Sequence, residues 1–335
     1  CARSVDQHEQ PQSLKQAFAR PDAQAYVHAS VQEVKQLIKY NSFKRMKRTD
    51  MPNDARPLPT RFVFTDKTDE KGNLLRKKGR LVARGDIQGK FGEEIDTYSP
   101  TASNTAIRSM VALAVQRRWR LNQGDVEAAY LHTQNKERTL ITFPKGFGRV
   151  AKELGWGDYS EGDGALLLTY LYGMKQSGRE WYFKVRGKLL LIGFEYLPTD
   201  PCVMVRKVKG EIGEVLLFHV DDFIHTSESD AIWHKFVKEC REHGINIEDM
   251  GKPRKFLGLY FEEIKNGWRL HLEPYIYEVL KKFKLEGLSV AHQPAPMSRL
   301  EQEGQPLEEE FKKLYRPLIG VALWIACVLR GPDIG

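Results

Sequence analysis

Two adjacent aspartates, Asp221 and Asp222, interrupt an otherwise apolar run, VLLFHVDDFIHTSE. Neighbouring side chains in a strand point to opposite faces, so both carboxylates cannot be buried there at low cost. At a hairpin tip both can be presented near one point, where like charges raise each other's pKa unless a cation lies between them. Mg2+ favours hard oxygen ligands and is commonly held by one or two carboxylates together with substrate phosphates. A lone Asp-Asp pair is more often a solvated turn. A third carboxylate changes that balance: Asp125 ends the strand pattern LNQGD and precedes Val-Glu-Ala-Ala-Tyr. Three carboxylates from two strands can bracket two metal ions about 3.5–4 Å apart, an arrangement suited to nucleotide transfer.

The elements that must position them are legible as patterns. From Tyr26 to Tyr40, residues Val27, Val31, Val34, Leu37 and Ile38 recur at helical spacing. RFVFTDK, a DEKGN turn and LLRKKGRLVARG read as a hairpin, whose second half carries Lys71, Arg76, Lys77, Lys78, Arg80 and Arg84 with no acid among them. Such a run is by itself usually a solvated face. Ser103 can cap a helix with Ile107, Met110, Val111, Ala114 and Val115 on its apolar side. Ser177 can open another through Trp181, Val185, Leu189 and Ile192, and Ser229 and Gly244 bracket a third that packs through Ile232, Phe236 and Cys240. KFLGLYFEEIKNGWRLHLEP predicts a hairpin turning at Asn266-Gly267. After a loop rich in Pro, Gln and Glu, a last helix is expected from about Leu307 to Leu329. Helices intermixed with hairpins predict an α+β fold rather than a doubly wound parallel sheet.

A chain of 335 residues can form one large domain or two ordinary ones. Its 41% hydrophobic and 10% aromatic content excludes global disorder. A net charge of +8 suits a polyanionic partner, because each neutralised phosphate releases counterions. The four cysteines, Cys1, Cys202, Cys240 and Cys327, form no C-x-x-C pair, which argues against a disulfide framework or a cysteine zinc site and fits a reducing compartment. No H-E-x-x-H spacing occurs among the histidines, so a zinc hydrolase is poorly supported. The start has no apolar leader, and the longest apolar stretch, Leu318 to Leu329, is shorter than the roughly 20 residues of a membrane span. The expectation is an intracellular protein, cytoplasmic or nuclear, neither secreted nor membrane-bound, and a fragment of something longer.

Taken together the motifs resemble the reverse transcriptase of copia-type LTR retrotransposons. From about residue 26 to the end, GRLVARGDIQ, DTYSPTAS, LNQGDVEAAYLH, FPKGF, LYGMKQSGREWY, DPCVMV, FHVDDFIHTSE, KFLGLYFEE and YRPLIG with RGPDIG follow that family's order. The resemblance implies an α+β right-hand polymerase with fingers, a palm of antiparallel sheet plus helices, and a partial thumb. Its expected boundaries are a linker or tail over 1–25, fingers with the start of the palm over 26–120, palm with an interleaved fingers segment and primer-grip hairpin over 121–265, and the start of a thumb or connection over 266–335. RNase H, integrase and protease segments are not expected within this sequence.

The activity so implied is RNA- and DNA-templated addition of dNTPs to a primer 3′-hydroxyl with two Mg2+ ions, Mn2+ being the alternative. Asp125, Asp221 and Asp222 would be the catalytic metal ligands, joined by the carbonyl of Val126. One ion would activate the hydroxyl, and the other would hold the triphosphate and the leaving pyrophosphate. Arg80, with Lys78 and Arg84 behind it, would meet the incoming dNTP, together with Lys175, Tyr172 and Tyr130, the last at the family's steric-gate position. Phe256, Leu257 and Gly258 match the primer grip. His219 stands where the family usually has Tyr, beside the primer terminus, and Gly178 where it often has Pro. The implied partners are a primed RNA or DNA template and dNTPs, with monomer and homodimer both left open. The alternative is a catalytically silent, domesticated host protein that keeps the fold to bind nucleic acid. Intact aspartates favour the active reading.

Overall fold

The structure, a computed structural model, describes residues 10–68, 74–88, 96–287 and 308–330. The turn expected over Asp69–Asn73 and most of the loop rich in Pro, Gln and Glu lie outside them. The chain begins with α1 (Leu14–Phe18), α2 (Ala23–Lys39), β1 (Phe43–Met46), β2 (Leu58–Thr68), β3 (Leu74–Ala83) and α3 (Asn104–Arg117). There follow β4 (Arg120–Val126), β5 (Leu140–Thr142), α4 (Gly148–Glu153), β6 (Gly164–Leu167), α5 (Ser177–Leu191) and β7 (Glu195–Leu197). Next come β8 (Asp200–Val208), β9 (Glu211–His219), β10 (Asp222–Ser227), α6 (Asp230–Glu242) and β11 (Ile247–Gly251). The last elements are β12 (Lys255–Phe256), β13 (Leu259–Ile264), β14 (Gly267–His271), α7 (Glu273–Lys282) and α8 (Glu309–Ile325).

Mixed helix and sheet is what the hairpin-rich pattern predicted. Strands form a five-stranded sheet ordered β1-β6-β5-β2-β3, a six-stranded sheet ordered β11-β4-β10-β9-β8-β7, and a three-stranded sheet ordered β12-β13-β14. Pairing is antiparallel except between β2 and β5. Alternation along β10 feeds two cores, because Phe223 and Ile224 point to opposite faces. On the Phe223 face lie α5 and α6, through Trp181, Val185, Leu189, Trp233, Phe236 and Cys240. The Ile224 face packs against α3, through Ile107, Met110, Val111 and Ala114, and against Phe256 and Phe261 of the small sheet. A separate core joins α1, α2 and α4 to the five-stranded sheet.

Four details differ from expectation. Residues 10–25 are not all tail: Ser13 caps α1, and Leu14 and Ala17 sit fully inside the first core, so one short amphipathic turn is held by burial rather than propensity. In α6 the buried stripe runs through Trp233 and Val237, with Ile232 only half-buried, because the larger indole takes the inward position. The β13–β14 turn holds Lys265-Asn266, one residue earlier than expected, with Ile264 opposite Gly267. Val115 and Ile38, placed on apolar faces by spacing, remain exposed at helix ends.

Leu14→Ala removes a fully buried side chain and leaves a cavity, so it should cost about 2–5 kcal/mol and lower the melting temperature by several degrees. An unchanged midpoint in thermal denaturation would show that α1 is not part of the core.

Candidate active site

The two aspartates sit where β9 turns into β10. His219 pairs with Asp222, so the turn is only two residues long, Val220-Asp221. Val220 takes φ 56°, a left-handed conformation that a β-branched side chain resists at a cost of roughly 1–3 kcal/mol. Such strain persists only where neighbours over-determine it. Here the Trp181 indole N–H donates to the Val220 carbonyl at 2.6 Å, and the Val126 N–H donates to the Asp221 carbonyl at 2.8 Å. Trp181 is a buried residue of α5, so its hydrogen bond anchors the turn to the core.

Strand β4 lies between β10 and β11, with Asp125 opposite Asp222 on one side and Glu248 on the other. Directly opposed residues share a face, with Cβ atoms about 4.5–5.5 Å apart. His219, Asp222, Asp125 and Glu248 therefore form one row across four strands. Beside the row, Gly124 leaves no room for a side chain: a Cβ there would lie 2.5 Å from Ile247 Cγ2 and 3.0 Å from the Trp233 ring. Crowding shifts the carboxyl pKa values. Burial, then the charges of Asp221 and Asp125, push the Asp222 carboxyl up to about 7. Burial and then Asp221 also raise Asp125, while Lys78 and Arg80 oppose the rise. Burial lowers the pKa of His219, whose Nδ1 is buried without a partner.

Among the described residues no three His, Cys, Asp or Glu side chains are placed to hold a metal ion by themselves. Mutually repelling carboxylates have no reason to converge without a cation, and Mg2+ sites that also use substrate phosphates need only one or two of them. The donor set, hard oxygens at Asp125, Asp221 and Asp222, fits such an ion. Val126 has its side chain buried in the core and contributes only backbone at this point.

Facing the carboxylates, β3 turns Lys78 and Arg80 toward Asp125, close enough for both charges to act on it. The Arg80 guanidinium lies 5.1 Å from the Tyr172 ring centre, and Tyr172 meets Tyr130 edge-on at 5.0 Å. Burial raises both tyrosine pKa values, so the phenols stay neutral. Two expected residues are not gathered here: Arg84 pairs with Asp86 at 2.6 Å, and the exposed Lys175 contacts Gln88 through its backbone N–H. Gly173, beside Tyr172, lets the backbone approach β3, since a Cβ there would lie 2.3 Å from the Ala83 carbonyl oxygen. Phe256 is core, and Leu257-Gly258 form the two-residue β12–β13 turn with φ 47° and 87°. Gln123 holds that small sheet to β4 through Lys255 and Arg254. Sequence reasoning missed Trp181 as the turn's anchor and Glu248 as the fourth acid. Alternation in INIEDM was the available signal for Glu248.

A family model described as reverse transcriptase (RNA-dependent DNA polymerase) matches residues 43–297. The Pol polyprotein from transposon TNT 1-94 of Nicotiana tabacum is 28% identical over 98% of this chain and 24% of its own length. That from transposon RE2 of Arabidopsis thaliana is 30% identical over 66% of this chain and 15% of its own. The truncated Ty1-A Gag-Pol polyprotein of Saccharomyces cerevisiae is 26% identical over 92% and 26%. The chain thus spans about a quarter or less of the length of these relatives. A solved telomerase from Candida albicans, in complex with a telomeric RNA fragment, overlays with TM-score 0.40 at 9% identity, over 71% of this chain and 49% of that one, too distantly to assign a fold. No helix among the described residues is long and apolar enough to cross a membrane.

The raised Asp222 pKa has a consequence for stability. Its folded value of about 7 exceeds the ordinary 3.8, so stability present at low pH is lost as pH rises through 7. In EDTA, Asp222→Asn should gain on the parent between pH 5 and pH 8, by on the order of 2 kcal/mol after discounting for solvent. Thermal denaturation of both proteins across that range checks this; a parent that gains on the variant as pH rises contradicts it.

Proposed function

Since the chain belongs to the reverse transcriptase (RNA-dependent DNA polymerase) family, we propose that it extends a primer 3′-hydroxyl with dNTPs on an RNA or DNA template. The observation that carries this is the cross-strand row: Asp125 opposite Asp222, Asp221 in the adjoining turn, and Lys78 and Arg80 facing them. Two Mg2+ ions, or Mn2+ in their place, would supply activation of the hydroxyl and stabilisation of the leaving pyrophosphate. Asp125, Asp221 and Asp222 would hold them, with the Val126 carbonyl as a further oxygen ligand.

The remaining residues then have definable work. Lys78 and Arg80 offset the charge of the triphosphate, and Arg80 is steadied by the Tyr172 ring. Tyr130, braced edge-on by Tyr172, presents a rigid ring where a ribose 2′-hydroxyl would need space. His219 stands beside Asp222 in the row, a place suited to the primer terminus. The exposed backbone of the Leu257-Gly258 turn is suited to gripping the primer strand. Arg84 and Lys175 stay as secondary candidates that could reach a phosphate only by moving. In this reading the six-stranded sheet with α5 and α6 is the palm, the five-stranded sheet with α2 belongs to the fingers, and α8 begins the thumb.

Primer extension on a defined RNA template with Mg2+ and dNTPs, set beside Asp221→Asn plus Asp222→Asn, tests the proposal. Extension by the parent and at least a 1,000-fold loss in the variant are expected. A parent that binds primer–template but does not extend it with Mg2+ or Mn2+ would turn the reading to a nucleic-acid-binding protein. A second comparison concerns the tyrosine: Tyr130→Ala should relax discrimination against rNTPs by on the order of 10–100-fold while dNTP addition persists. Unchanged discrimination would remove Tyr130 from the sugar pocket.

A further inference from the structure

Strand β3 carries the cations, yet it is the edge of its sheet, and among the described residues its one partner strand is β2. Its register is set by pairing with β2 and by burial of Gly79, Leu81 and Ala83, and a slip of one residue would exchange the two faces. For β3 such a slip would turn Lys78 and Arg80 away from Asp125 and put Lys77, Gly79 and Leu81 in their place.

Helix α2 steadies the strand along a single stripe. Asp22, Tyr26, Ala29 and Glu33 are spaced four, three and four apart, which places them on one helical face. At one end Lys77 Nζ lies 3.1 Å from Asp22 and 4.5 Å from the Tyr26 ring centre, with Asp66 at 3.2 Å. In the middle the helix crosses at Gly79, where a Cβ would lie 3.1 Å from the Phe64 ring and 3.4 Å from the Ala29 carbonyl. At the other end Glu33 Oε1 accepts a hydrogen bond from the Leu81 N–H at 3.0 Å. That N–H points outward from the sheet, so without Glu33 it would be a buried donor with no partner. Glu33 is itself 6% exposed, an unusual burial for an acid on a helix face and one explained by this bond.

We propose that Glu33 is a positioning residue for the nucleotide: its bond to the outer edge of β3, together with that of the Ala83 N–H to the Tyr172 carbonyl at 2.8 Å, steadies the strand that presents Lys78 and Arg80 to the triphosphate. The inference rests on the polymerase reading for the identity of the phosphate ligand, and on geometry alone for the clasp. Glu33 touches neither substrate nor metal. Its effect therefore falls on nucleotide affinity rather than on the rate once bound.

The test compares Glu33→Ala, Glu33→Gln and Asp22→Asn with the parent, by KM and kcat for dNTP in primer extension and by calorimetric titration with inorganic tripolyphosphate. Loss of a hydrogen bond to a buried donor is worth about tenfold, so Glu33→Ala should raise KM about tenfold, leave kcat within about twofold and weaken tripolyphosphate binding in parallel. Glu33→Gln keeps the acceptor and should restore both affinities. Asp22→Asn, at the solvent end of the clasp, should shift them about two- to threefold, and it decides the matter if the Ala variant does not fold. A folded Glu33→Ala protein with unchanged KM and tripolyphosphate affinity overturns the proposal, as does a Gln variant as impaired as the Ala variant. If the parent does not extend primers but the tripolyphosphate pattern holds, the polymerase reading fails and the clasp stands.

Discussion

Carboxylates that repel one another are brought side by side by the strand register, and much of the surrounding structure serves that constraint. Asp125 and Asp222 are opposed in the register of β4 and β10, and Asp221 is forced beside them by a two-residue turn. Neither arrangement is comfortable. Val220 is held in a left-handed conformation, and the Asp222 carboxyl is pushed up to about 7 by burial and by its neighbours' charge. What offsets the discomfort is core packing: Trp181, buried with α5, bonds the Val220 carbonyl, and the sheet carries hydrophobic layers on both faces. Strain and repulsion stored this way are characteristic of functional sites.

The same constraint explains the opposing wall. A concentration of negative charge would repel a triphosphate unless cations stood across from it. Lys78 and Arg80 supply them from an edge strand, which by itself is a poor place to fix a side chain. Helix α2 makes that strand rigid by ion pairing, close backbone packing and one buried carboxylate. The aromatic pair Tyr130 and Tyr172 bridges the two walls, with Arg80 on one side and the turn after Asp125 on the other.

Much of this was legible in the sequence, for identifiable reasons. Paired aspartates inside an apolar strand pattern violate hydrophobic alternation, and that violation marked the site. Helices α3 and α5 announced themselves through period and, for α3, through Ser103, whose hydroxyl accepts from the Ala106 N–H. What stayed hidden depends on register between segments distant in the chain. Glu248 meets Asp125 across 123 residues, and the short alternation around it shows a strand but not which strand it pairs with. Glu33 looks like any helix glutamate until its partner, the Leu81 N–H, is known. Val220 concealed the tight turn, since two-residue hairpins usually declare themselves with Gly or Asn. The short α1 was overlooked because a helix of one turn has almost no periodicity to read.

In the proposed reading, Asp125, Asp221 and Asp222 form a cation site that a nucleoside triphosphate completes. Calorimetric titration of Mn2+ into the protein, with and without dTTP, measures this most directly. The account predicts binding that tightens when dTTP is present and that is lost in Asp125→Asn as well as in Asp221→Asn. Mn2+ binding indifferent to dTTP, or undiminished by Asp125→Asn in a folded protein, would contradict it.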